Sequence, residues 1–161
     1  MSLMKTPLLL FMFLSFVFQG NGQCVLFQAD TMTIPSTGQK VTGQYVETTL
    51  KNQSEVRLFK TEEGRIFLRL IITENFYFNQ VSTLEIRSGT KSYWVKNAKQ
   101  YKVDKTHGLF ITEIFSNYVA TLRAIGITGI EFGAYTDFAK SDVEQIKEMA
   151  GCMYESLGKK K

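Results

Sequence analysis

From residue 40 to residue 112 the chain is a series of short runs of strand formers, each closed by a turn signal, with no proline among them. Such spacing leaves room for hairpins and little else, because parallel strands need longer crossovers. Residues 41–50 and 55–61 flank Lys51-Asn52-Gln53-Ser54, which predicts a hairpin. Glu62-Glu63-Gly64 then turns the chain into residues 65–73, RIFLRLIIT. Ile66, Leu68, Leu70 and Ile72 share one face, and Phe67 and Ile71 stand with Arg69 on the other, so a central strand covered on both sides is expected. Residues 81–87 set Leu84 and Ile86 against Glu85 and Arg87, and Ser88-Gly89-Thr90 returns the chain into residues 91–96. Residues 99–104 also alternate, Lys105-Thr106-His107-Gly108 is a turn, and Leu109 opens a further strand.

The period then changes. Phe115, Val119, Leu122 and Ile125 fall at helical spacing, with Ser116 as the expected cap and Gly126 at the end. A strand over residues 127–132 follows. Ser141-Asp142-Val143-Glu144 has the pattern of a capping box, and Val143, Ile146, Ala150, Met153 and Leu157 form one apolar stripe on a helix of about 16 residues. Gly126, Gly129 and Gly133 read as a helix end, a close backbone approach and a turn. A phosphate cradle needs the opposite order, strand to glycine loop to helix. Residues 23–39 read as an irregular or extended lead-in with a turn at Pro35-Ser36-Thr37-Gly38. The fold class expected is α+β: a curved antiparallel sheet with a short helix and a C-terminal helix packed on one face.

Residues 1–22 stand apart. Lys5 is their only charged side chain, residues 8–18 (LLLFMFLSFVF) are apolar except for Ser15, and Gly20-Asn21-Gly22 follows. That order is expected of a secretory signal, cleaved after Gly22 to leave Gln23 first. The apolar run is too short to span a bilayer, which takes roughly 20 residues. No transmembrane span is therefore expected after cleavage, and residues 23–161 are expected to form one domain, secreted or periplasmic. Lipid attachment at Cys24 is the rival, opposed by the bulky Gln23 just before it.

The chain carries 19 basic and 15 acidic residues. Once Lys5 is lost with the signal, Lys159-Lys160-Lys161 hold the whole positive excess, and the body is balanced. A nucleic-acid binder shows a basic stripe across its fold, so no nucleic-acid partner is expected. With 2 cysteines, one intramolecular bond is open, between Cys24 and Cys152. At about 100° per residue Cys152 falls on the polar side of its helix, away from the stripe. That placement favours two separate thiols.

Catalytic signals are sparse. The 1 histidine, His107, excludes a two-histidine zinc site, and C-x-x-C, G-x-S-x-G, P-loop and dinucleotide patterns are missing. No metal and no cofactor is expected. His107 with Asp104 would make a general base without an identifiable nucleophile. Glu131 with Asp137, or Glu113 with either, would make a carboxylate pair, a pattern that scattered surface acids also produce. Asn52-Gln53-Ser54 matches a glycosylation acceptor that matters only in a eukaryotic secretory pathway.

The aromatic residues are the remaining handle. Phe76-Tyr77-Phe78 is consecutive, and Tyr93-Trp94 divides between the two faces of its hairpin. With Tyr93 and Val95 inward, Trp94 faces outward beside Ser92 and Lys96. Tyr77, Tyr93 and Trp94 are thus the candidate binding residues, able to stack on a sugar or grip a partner. Large aromatics are mostly buried, so a helix or loop over Trp94 is expected. The functional expectation is an exported, non-enzymatic module that binds a protein or envelope polymer. The alternatives are a small hydrolase using carboxylates or the histidine, and a lipid-anchored envelope protein.

Overall fold

The structure is a computed structural model that describes residues 27–73, 81–104 and 106–158. The expected signal, Cys24, Phe76-Tyr77-Phe78 with the candidate Tyr77, Lys105 and the terminal lysines lie outside the described residues. Ten strands and two helices follow in the order β1 (Gln28–Thr33), β2 (Lys40–Thr49), β3 (Glu55–Thr61), β4 (Ile66–Thr73), β5 (Val81–Ser88), β6 (Lys91–Lys99), β7 (Tyr101–Lys102), β8 (His107–Ile114), α1 (Ser116–Ile125), β9 (Gly129–Phe132), β10 (Ala134–Asp137) and α2 (Lys140–Gly158).

All pairings are antiparallel. They form two ladders, one of six strands in the order β1-β2-β3-β4-β8-β7 and one of four in the order β10-β9-β5-β6. The expected curved sheet is therefore a half-barrel of two ladders with two helices, α+β and mostly sheet. Strand β4 sits inside the larger ladder between β3 and β8. Its inner residues Ile66, Leu68, Leu70 and Ile72 join Val56, Leu58, Leu84, Ile86, Ile130, Ile146 and Met153 in one core. Its outer Phe67 belongs to a second cluster with Met32, Ile34, Val41, Tyr45 and Phe59. The Arg57 guanidinium lies 3.8 Å from the centroid of the Tyr45 ring, and that of Arg65 lies 4.9 Å from the Phe67 ring. Charged heads on apolar stems thus lie over part of the outer cluster.

Helix α2 buries Ile146, Met149, Ala150 and Met153, and the stripe read from the sequence faces the core. Three expectations are corrected. Ser116 does not cap α1: it is the first helical residue, Phe115 is the N-cap, and no side chain bonds the free amides. Helix α2 likewise begins before Ser141, at Lys140, and Asp142 and Val143 donate their N–H groups to Ala139 O at 2.9 and 3.0 Å. Asp142 of this first turn makes a tertiary contact, accepting the Lys51 N–H of the β2–β3 turn at 3.2 Å. Cys152 does not face away from the core. It is half-buried, packs against it, and is disulfide-bonded. The reason is that α2 packs against β2, β3 and α1, so its buried arc is wider than the stripe.

Among elements not anticipated, β1 pairs with β2 along the edge of the larger ladder, and β10 pairs with β9. Strand β7 keeps only Tyr101–Lys102 of the expected 99–104 run. The three glycines behave as read. Gly126 ends α1 with φ 78, a Cβ on Gly129 would lie 2.7 Å from Thr136 O, and Gly133 turns β9 into β10 with φ 74.

Candidate functional site

The outer face of the four-stranded ladder gathers a group of polar and exposed aromatic side chains. Alternation places it there. Leu84, Ile86 and Ile130 point into the core, so Glu85, Arg87 and Glu131 point out. Register then aligns them. Tyr135 pairs with Glu131, Glu131 with Glu85, and Glu85 with Trp94, forming one row across all four strands. The next row runs Asp137, Gly129, Arg87, Ser92.

Two carboxylates directly opposite one another repel unless a cation intervenes. Arg87 supplies it. Its Nη2 donates to Glu131 Oε2 at 2.7 Å and to Glu85 Oε2 at 3.3 Å, and its Nε donates to Glu85 Oε1 at 3.1 Å. The Ser92 hydroxyl also donates to Glu85 Oε1. These bonds, Ser92 first and then Arg87, hold the Glu85 carboxyl below its ordinary pKa, although the residue is only 6% exposed. Glu85 is therefore a fixed, ionised acceptor.

The ends of the first row are aromatic. Trp94 is 57% exposed and Tyr135 is 43% exposed. The expectation that a helix or loop covers Trp94 is thus corrected: among the described residues β6 is the edge strand of its ladder, and Trp94 stands on its outward side, exposed. The Tyr135 ring lies across β9, where Gly129 leaves room: a Cβ there would stand 2.7 Å from the phenol oxygen. Arg87 stacks on the same ring with its guanidinium carbon 4.2 Å from the centroid. A hydrogen bond with Asp137 raises the phenol pKa. Tyr135 escaped the sequence reading because its strand has four residues. The Gly133 turn and the parity linking it to Glu131 were the available signals.

Tyr93 goes to the inner face. It stacks on Tyr118, centroids 4.4 Å apart, and donates its hydroxyl to Glu113 O at 3.2 Å. It shares no surface with Trp94. Glu113 is held at 2.7 and 3.0 Å by Arg65 in the other ladder, and that bond lowers its pKa. Of the suggested carboxylates, only Glu131 and Asp137 share a face. The suggested contact between Asp104 and His107 is present, with Nδ1 2.7 and 2.8 Å from the two carboxylate oxygens. The Thr106 N–H, followed by His107, pulls Asp104 down to about 2. The Thr106 hydroxyl approaches that same Nδ1 at 3.0 Å. A relay needs the nucleophile on Nε2 and the acid on Nδ1, so these three groups do not form one.

A groove of ≈ 420 Å³ between α1 and the end of α2 is lined by Ser116, Asn117, Ala120, Tyr154, Leu157 and Gly158, with no carboxylate or histidine among them. Among the described residues, no three Asp, Glu, His or Cys side chains group to hold a metal, and no helix is long and apolar enough to cross a membrane. In comparisons with known proteins, no family model matches the chain, and no curated protein or solved structure shows significant similarity to it.

Proposed function

We propose that this chain is an exported, non-enzymatic binding module and that the outer face of the four-stranded ladder is its contact surface. The observation that carries the reading is the row Tyr135–Glu131–Glu85–Trp94, with exposed aromatics at both ends and pre-positioned hydrogen-bonding groups between them. Exposed aromatics beside fixed polar groups are the usual makings of a contact surface, because they bring large contact area at little entropic cost. Export rests on the charged, apolar and small-residue order of residues 1–22.

The hydrolase alternative is less well served by the same groups. A carboxyl pair that cleaves glycosidic bonds needs one member with a raised pKa to donate a proton. Glu85 is shifted the other way. The lipid-anchored alternative turns on Cys24 and is settled by the mass of the mature N-terminus.

The test is co-sedimentation of the mature protein with insoluble envelope polymer from the expressing cells. The wild type is expected in the pellet. A Trp94→Ala/Tyr135→Ala variant with unchanged circular dichroism is expected in the supernatant. Equal sedimentation of the two would remove this face from consideration.

A further inference from the structure

Resting on that reading of the face, we infer that its ligand is a neutral, hydroxyl-rich glycan strand. The inference follows from how the charges on the face are already spent. Glu85, Glu131 and Asp137 bring three carboxylates, Arg87 lies between two of them, and Lys96 follows Trp94 at the outward parity of β6. The charged groups at the centre of the face, Glu85, Arg87 and Glu131, have internal partners. Arg87 bonds both glutamates and Ser92 bonds Glu85. A polyanion meets more carboxylate than cation there. A cationic partner must take Glu131 from Arg87, since Glu85 is buried, and so exchanges one ion pair for another at little gain.

A hydroxyl group faces no such exchange. It donates to a carboxylate lone pair and accepts from a guanidinium N–H, so it extends the network without breaking it. An open aromatic ring suits the remaining surface of a sugar, whose C–H face stacks on it, and Trp94 offers that ring. The backbones of Trp94 and Tyr135 lie three strand spacings apart, roughly 14 Å, and the Tyr135 ring leans back across β9 between Gly129 and Arg87, so a ligand that reaches from Trp94 to the Tyr135 edge is extended and laid across the strands. The rigidity of the arrangement fits as well. Tyr135 is seated over Gly129 and under Arg87, and both glutamates are pinned, so little side-chain freedom is lost on binding.

The experiment uses the 1 tryptophan of the chain as reporter. The mature protein is titrated with hexaoses of glucose, mannose and N-acetylglucosamine, and with poly-lysine and poly-glutamate, while Trp94 emission is followed. At least one neutral hexaose is expected to shift the emission, with affinity changing less than about twofold between about 50 and 500 mM salt. Tyr135→Ala is expected to weaken that affinity by about tenfold or more. Gly129→Ala, whose methyl group meets both the Tyr135 phenol and the Thr136 backbone oxygen, should weaken it in the same direction where circular dichroism is unchanged. Binding of a charged polymer alone, with steep salt dependence, would overturn the glycan assignment and leave the face as a contact surface. No response to any hexaose at millimolar concentration would overturn it too, while co-sedimentation still reports separately on whether the face binds.

Discussion

The carboxamide of Gln100 lies on the bare Cα of Gly108, so close that a Cβ at residue 108 would stand 2.0 Å from its Nε2. Gln100 is 5% exposed, and among the described residues neither its Nε2 nor its Oε1 has a hydrogen-bond partner. Gly108 is thus required by close approach. Gly108→Ala is expected to lower stability by about 1–3 kcal/mol, the usual cost of overpacking. In a Gln100→Ala background the same change should cost much less, which urea melts of the four proteins would show as a coupling. An equal cost in both backgrounds would mean that Gln100 is not what the new methyl group meets.

Ile146 carries the second prediction. It is fully buried on α2, one turn after the buried Asp142. Ile146→Asp places an unpaired charge in the core and is expected to cost about 2–4 kcal/mol. A change within about 0.5 kcal/mol, the range of surface sites, would show that α2 does not dock as described.

Asp104 gives a pH dependence. Its folded pKa is depressed from 3.8 to about 2, first by the Thr106 N–H and then by His107. A depressed acid contributes stability that is full above its unfolded pKa and lost as pH falls through the folded value. The window is therefore from about pH 4 down to about pH 2. Asp104→Asn should shrink the fall in melting temperature across that window and leave other acid-sensitive groups, such as Glu85 and Glu113, to supply what remains. Identical acid limbs in the two proteins would contradict the assignment.

The last prediction joins fold to compartment. Cys152 is disulfide-bonded, and the other of the 2 cysteines in the chain is Cys24. Phe27, three residues beyond Cys24, packs against the same core as Cys152. We expect one intramolecular bond between them in exported protein. Alkylation without reductant should leave the mass unchanged, and after reduction two groups should add. The same spectrum reads the N-terminus, expected at Gln23 or its cyclised form. Two reactive thiols in the unreduced sample would reject the bond, and an intact Met1 or Met4 start on exported protein would reject the cleavage.

Sequence by itself determined the strands that hold their own pattern and the faces they present. The β2–β3 turn, the doubly covered β4, the outward parity of Trp94, the stripe on α2 and the roles of three glycines were all legible. Each is written in one segment, as a period of two, a period of 3.6 or a forced φ. Tertiary structure decided what depends on a neighbour. Strands β1 and β10 exist because β2 and β9 lie beside them, and their own residues alternate too weakly or too briefly to announce it. Helix α1 is capped by Phe115 and not by Ser116, and α2 begins at Lys140, ahead of Ser141, while Asp142 of its first turn accepts the Lys51 N–H across the fold. The face of Cys152 was misread because a helical wheel counts one covered side, and α2 has the sheet and α1 against it. The candidate site shows the same division. Parity put Glu85, Arg87, Glu131 and Trp94 outward, but only strand register set them in one network with Tyr135, since alternation fixes the face of a residue and not which residue stands across from it.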